Sequence, residues 1–240
     1  MLLITGGLQA QADFELIEQQ ILDSYKILEM AHLEQNPERQ RIFSAKLKNQ
    51  LMFALLQEGS YYHPFLRLKQ YLKIVESPDR RIRTFSWDAL SLGTCRSACS
   101  LVQYRGVRNE SYFHVLSEES EVIKDYKDVF ITRIYLLNDP SGTPYYLLIG
   151  NGSHGIGQEH TTARIFYFGH NELLECTNCF EGNYPYWTME GSTQFPVDLK
   201  FHTRRKQLYY YQPTYNSKTG QRTKGLHYQL YWKDGFFKGY

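Results

Sequence analysis

Four cysteines in two close pairs are the residues whose types and spacing could most readily do chemistry: Cys95 and Cys99 form C-x-x-x-C, and Cys176 and Cys179 form C-x-x-C. Three chemistries compete for them. In an oxidising compartment an even count reads as disulfides, within the pairs or across them, and the spacing does not choose among the three connectivities. A Cys₄ set could hold zinc, because C-x-x-C bites a tetrahedral ion well, although C-x-x-x-C and the 76 residues between the pairs depart from zinc-ribbon spacing. Redox exchange at Cys176-Thr177-Asn178-Cys179 would need a thioredoxin-like βαβ frame, and none flanks it.

A second group lies at Gly150-Asn151-Gly152-Ser153-His154-Gly155, which matches G-x-G-x-x-G. A dinucleotide loop must open a helix whose N-terminus receives the pyrophosphate. Here the following segment, Thr161–Phe168, is β-branched and aromatic, so the run reads as a glycine-rich hairpin connection. It brings His154, Glu159 and His160 close in sequence, a metal or acid/base set if a third convergent group arrives from elsewhere; otherwise they are solvated loop residues. Asp88, Glu172, Glu175 and Glu181 fall near strand ends without the spacing of a hydrolase pair. No catalytic residue, metal or cofactor is assigned from these patterns.

Aromatic residues are the third group, with 20 Tyr and 14 Phe in 240 residues. Tyr184-Pro185-Tyr186-Trp187 and Tyr209-Tyr210-Tyr211 offer flat faces for sugar rings or peptides, and Tyr184, Tyr186, Trp187 and Tyr210 are the expected ligand-binding residues. Alternation along a strand turns one face of each run away from the core. Trp87-Asp88 matches a propeller-blade signature, but the pair does not recur at the period of about 40–45 residues that blades require. Trp87 therefore reads as core and Asp88 as a strand-end cap.

The elements that position these groups follow from periodicity. Phe14, Ile17, Ile21, Leu22, Tyr25 and Leu28 share one face of a helix over 13–34. Asn36-Pro37 caps a second, which ends at Gly59. A short helical piece follows near Leu66–Tyr71, and from about residue 75 the period falls towards two. Ser77-Pro78-Asp79-Arg80 turns Tyr71–Glu76 into Ile82–Trp87. Further strands are expected at Ser100–Arg105, Tyr112–Leu116, Val129–Leu137, Tyr145–Ile149, Ala163–Phe168, Asp198–Thr203, Gln207–Gln212 and His227–Trp232, with turns such as Asn216–Gly220. Their short connections make them antiparallel, and their alternation implies one wet face. The predicted fold is α+β: a helical segment over 13–75 packed on an antiparallel β body over 76–240, as a barrel, a sandwich or a partial propeller.

Lys+Arg 27 against Asp+Glu 25 gives a formal net charge of +2, too small an excess for a nucleic-acid partner. Residues 1–12 are apolar and small, and Ala10-Gln11-Ala12 fits the small-x-small cleavage rule, so they read as the remnant of a signal peptide. No other stretch approaches the roughly 20 apolar residues of a membrane span.

The run Ser77-Pro-Asp-Arg-Arg-Ile-Arg-Thr-Phe-Ser-Trp-Asp88, with Gly93-Thr94, Val102-Gln103-Tyr104 and Tyr145–Gly152, resembles a group of uncharacterised exported β-rich proteins of Gram-negative bacteria. The resemblance spans about residues 13–240. It implies fold and export and brings no activity or catalytic residue; Cys95 and Cys99 fall where that group is not expected to carry cysteine. The resulting expectation is a non-catalytic binding protein of the periplasm or cell surface, holding a glycan, a peptide or an envelope protein. A metal-dependent hydrolase built on His154, Glu159 and His160 is the alternative, and a structural or inhibitor-like surface protein is the third class.

Overall fold

The computed structural model describes residues 13–90, 97–106, 110–118, 126–155, 157–192, 197–215, 218–219 and 222–239. The expected signal remnant at 1–12, Cys95, and part of the expected turn at 216–220 lie outside them. Two helices open the chain, α1 (Phe14–Leu33) and α2 (Pro37–Leu56). Each starts on a side chain that takes an orphan backbone N–H: the Asp13 carboxylate accepts from Leu16 N at 3.1 Å, and the Asn36 amide oxygen accepts from Arg39 N at 3.0 Å. Past α2 the chain turns at Gly59, whose φ of 79° suits a residue without Cβ. Short 3-10 turns at Ser60–Tyr62 and Leu68–Gln70 then lead into the β body.

That body is three antiparallel sheets, none closed into a barrel. The first is the meander β1 (Lys73–Glu76), β2 (Ile82–Asp88), β3 (Ala98–Arg105) and β4 (Ser111–Ser117). The second runs β5 (Phe130–Asn138), β6 (Pro144–Gly155), β7 (Gln158–Gly169) and β8 (Glu172–Glu175), with β9 (Tyr186–Ser192) also paired to β7. The third is the meander β10 (Lys200–His202), β11 (Gln207–Tyr215), β12 (Arg222–Lys233) and β13 (Phe236–Gly239). Helices, first sheet, second sheet and third sheet stack in that order, as the three apolar cores show. Ile21, Leu28, Leu47 and Leu51 of the helices share a core with Phe85, Trp87 and Leu101. On the other face of the first sheet, Ile82, Val102 and Tyr104 meet Ile131, Ile134, Tyr146, Leu148 and Phe166. Leu147, Ile149, Ala163 and Ile165 then face Leu208, Tyr210, Leu230, Trp232 and Phe237 of the third sheet.

This stacking corrects the expectation of one wet face. Neighbouring layers cover both faces of β2 and β3, so Arg83, Thr84, Ser86, Ser100 and Gln103 are buried although they are polar. Such groups must find partners. The Ser86 and Ser100 hydroxyls, 2.8 Å apart, reach Ile131 N and Val129 O at the start of the second sheet. A bulge between Ile131 and Arg133 changes the parity of β5, so that Ile131 and Ile134 both face the first sheet. Trp87 is core, as expected, and the Asp88 carboxylate caps the strand end by accepting from Leu90 N and Ser97 N.

Arg164 on β7 ties the first and second sheets together. It donates through Nη1 to Leu116 O and through Nε to Glu175, both at 2.8 Å, and Lys127 lies 3.3 Å from the same carboxylate. Burial by itself would raise the Glu175 carboxyl, but Arg164 and Lys127 outweigh it and hold the group below its ordinary 4.5. A depressed folded value means that this stabilisation is fully present above pH about 4.5 and is lost as pH falls through the lowered value. Glu175→Gln should therefore cost about 2 kcal/mol of unfolding free energy at neutral pH, by leaving the buried Arg164 charge short of its partner. The difference from wild type should close as pH falls through that range, which urea unfolding at a series of pH values would read.

Candidate functional site

Aromatic side chains from three strands converge at the open edge between the second and third sheets. Trp187 stands on β9 opposite Ala163, facing the third sheet. Tyr210 on β11 is paired with Tyr228 on β12, and their rings stack at 5.2 Å and 12°. The Trp187 ring lies 6.4 Å from Tyr210. Together they wall a cleft of about 520 Å³, with Glu181, Gln229 and Tyr231 along its rim.

The wall is braced from behind. Phe180 lies 6.4 Å from Trp187 and stacks on Phe237 at 5.6 Å. Cys176 and Cys179 are bonded to each other, with sulfur atoms 1.94 Å apart. The Cys179 carbonyl accepts from Phe237 N at 2.7 Å, and the Glu181 carboxylate accepts from Gly239 N at 2.8 Å. The disulfide closes the turn just before Phe180 and Glu181, and the hydrogen bonds of Cys179 and Glu181 pin β13 beside it. Burial pushes the Tyr210 hydroxyl up, the neighbouring Tyr228 pushes it the same way, and the Trp187 indole N–H offsets part of the rise. Tyr210 is thus a neutral phenol, able to donate as well as accept.

Of the four expected ligand-binding residues, the structure brings two together. Trp187 and Tyr210 line the cleft. Tyr186, the neighbour of Trp187 on β9, points to the opposite face, where Lys127 Nζ sits 5.8 Å from its ring centre. Tyr184, 58 % exposed, stands in the loop before β9 with its ring over Gly182, outside the cleft. Tyr228 and Glu181 were not among the expected binding residues. The register of β11 on β12 puts Tyr228 across from Tyr210 although 17 residues separate them in the chain, and sequence spacing carries no sign of that.

The glycine-rich run is strand. β6 continues through Gly155, so His154, Glu159 and His160 sit on strands and not in a solvated loop. His154 and His160 are both buried, with their Nδ1 atoms 3.1 Å apart. Glu159 and His160 are adjacent on β7 and therefore point to opposite faces. The carboxylate that joins the histidines is instead Glu190, paired with His160 across β9, within 3.8 Å of His154 Nε2 and hydrogen-bonded to the Tyr126 hydroxyl. Among the described residues, no three His, Cys, Asp or Glu side chains are grouped to hold a metal. Cys99 is buried in the core under the helices, remote from the Cys176–Cys179 bond in the core between the second and third sheets. The sequence matches no family model, no curated protein and no solved structure.

Close packing explains the glycines. A Cβ on Gly150 would come within 2.6 Å of the Val129 side chain, and one on Gly152 would lie 2.3 Å from Asp128 O and 2.5 Å from the His160 ring. Gly152→Ala should therefore destabilise the protein by about 1–3 kcal/mol, because backbone and a buried ring must both give way. Chemical denaturation would measure it.

Proposed function

We propose that this chain is a non-catalytic, exported binding protein of the cell envelope whose Trp187–Tyr210–Tyr228 cleft holds a glycan. The observation that carries this reading is the meeting of three rings from β9, β11 and β12 beside a carboxylate. A sugar ring has apolar C–H faces and a polar hydroxyl edge. Rings supply a flat apolar surface for the face, the Glu181 carboxylate supplies an acceptor for the edge, and the tyrosine hydroxyls supply donors. The Tyr210–Tyr228 stack and the disulfide-braced loop hold these groups before the ligand arrives, which lowers the ordering cost of binding. The Cys176–Cys179 bond is compatible with an oxidising compartment. No helix among the described residues is long and apolar enough to cross a membrane.

The test is a screen of oligosaccharides and short peptides against the full chain, read by tryptophan fluorescence. An oligosaccharide should bind saturably. Trp187→Ala and Tyr228→Ala should each weaken it at least about tenfold, or about 1.4 kcal/mol. Tyr186→Ala, on the opposite face, should leave affinity within about twofold, a difference of about 0.4 kcal/mol. Equal affinity in all three variants would remove the cleft from the reading, and saturable binding of peptides alone would replace the glycan.

A further inference from the structure

A second cavity, of about 450 Å³, opens at the far side of the molecule, where the chain leaves α2 and enters the first sheet. Its walls come from the segment after α2 (Tyr61, Tyr62), from β1 and its turn (Glu76, Arg80), and from the first-sheet strands (Arg83 on β2, Arg105 at the end of β3). The run Ser77–Asp88, marked in the sequence as a turn–strand signature, therefore supplies two of its charged groups, Arg80 and Arg83.

Arg83 is 95 % buried, with 5 % of its surface exposed, and no carboxylate among the described residues lies within ion-pair distance of it. Three neutral oxygens take up part of its guanidinium: Gln103 Oε1 from Nε at 2.7 Å, His63 O from Nη1 at 2.8 Å and Ser60 O from Nη2 at 2.6 Å. A guanidinium carries five N–H groups, so two remain beyond these three. Arg105 shares the Tyr61 ring with it, the two guanidinium carbons lying 4.8 and 5.2 Å from the ring centre, and has a buried Nε with no hydrogen-bond partner. The turn keeps the two cations in place. Arg80 has a left-handed φ of 56°, and its carbonyl accepts from Tyr61 Oη at 2.5 Å and from Arg105 Nη2 at 3.2 Å. Glu76 is the one carboxylate among the described residues of the wall, and Arg80 Nε reaches it at 3.9 Å. Lys69 adds a further positive charge at the rim.

Two guanidinium groups with spare donors, walled by tyrosine rings and short of anionic partners, match the chemistry of an oxyanion. We propose that this cavity binds a small molecule carrying a phosphate or carboxylate group, its charge on Arg83 and Arg105 and its body against Tyr61 and Tyr62. This site is separate from the aromatic cleft, and its failure would leave the glycan reading standing. Desolvation pushes the Arg83 guanidinium down to about 10, which keeps it charged at neutral pH and so able to meet an anion there.

The test titrates the full chain with inorganic phosphate and with benzoate at constant ionic strength, chloride serving as the control anion. The arginine Nε–Hε resonances and calorimetry report binding. The expected result is saturable one-site binding of at least one oxyanion, with the Arg83 and Arg105 resonances shifting together and chloride failing to compete. Saturation by phosphate alone assigns a phosphate ester, and by benzoate alone a carboxylate. Arg105→Gln should weaken the binding at least about tenfold while its urea midpoint stays near wild type. Linear, non-saturable shifts, or full affinity in Arg105→Gln, would overturn the proposal. The resonance shifts are read on wild-type protein, so the test stands even if the variant folds poorly.

Discussion

The buried guanidinium of Arg83 is the constraint on which the join between helices and sheets depends. It lies on the helix-facing side of β2, and three of its donors end on Gln103 in the next strand and on the carbonyls of Ser60 and His63 in the chain leaving α2. Gln103 continues the network by donating to Leu55 O and Ser60 Oγ, and Ser60 Oγ also reaches Leu55 O. The last carbonyls of a helix have no partner within the helix, so these bonds serve both the end of α2 and the sheet beneath it. A cation so largely desolvated is costly, and rings at Tyr61, Phe65 and Phe85, each about 5 Å from its centre, share in holding it. An arginine suits this place because its planar fork reaches three carbonyl-type acceptors and its charge is weakly hydrated.

From that join the layers follow by alternation. Residues of β2 point in turn towards the helices and towards the second sheet, so Phe85 and Trp87 enter one core while Ile82 enters the next. The second sheet repeats the pattern with Leu148 and Phe166 on one face and Leu147 and Ile165 on the other. A stack of layers covered on both sides has few wet strand faces, and its polar residues are consumed in links such as Ser86–Ser100 and Arg164–Glu175. Ligand-sized openings are therefore left at the margins of the layers. The aromatic cleft lies at the edge of the third sheet, and the arginine cavity lies where the helices meet the first.

Much of the fold was legible along the chain. Asp13, Asn36-Pro37 and Gly59 mark helix ends by local hydrogen bonding and backbone preference, which need no distant partner. The hairpin at Ser77–Arg80 and the strands from β2 to β7 follow from turn chemistry and period two. β8, β9 and β13 were not legible, because each is short or lacks clear alternation and owes its extension to a neighbour. β8 and β9 line up along one edge of β7, pairing with Phe166–Gly169 and Gln158–Arg164 respectively. Nothing within Tyr186–Ser192 signals that edge.

Trp187 and Tyr210 were recognisable as candidate binding rings from their aromatic runs, and the Cys176–Cys179 spacing allowed the disulfide that forms. The sequence by itself determined the helices, most of the strands and the pool of residues able to bind or bond, since caps, turns and periodicity act over a few residues. Only the tertiary structure decided which members of that pool meet. Register on β12 added Tyr228 to Tyr210, strand parity sent Tyr186 and Glu159 away from their neighbours Trp187 and His160, and pairing with β9 brought Glu190 to the histidines. The reason is physical: a strand's side chains alternate, so a partner across the sheet is nearer than the next residue in the chain.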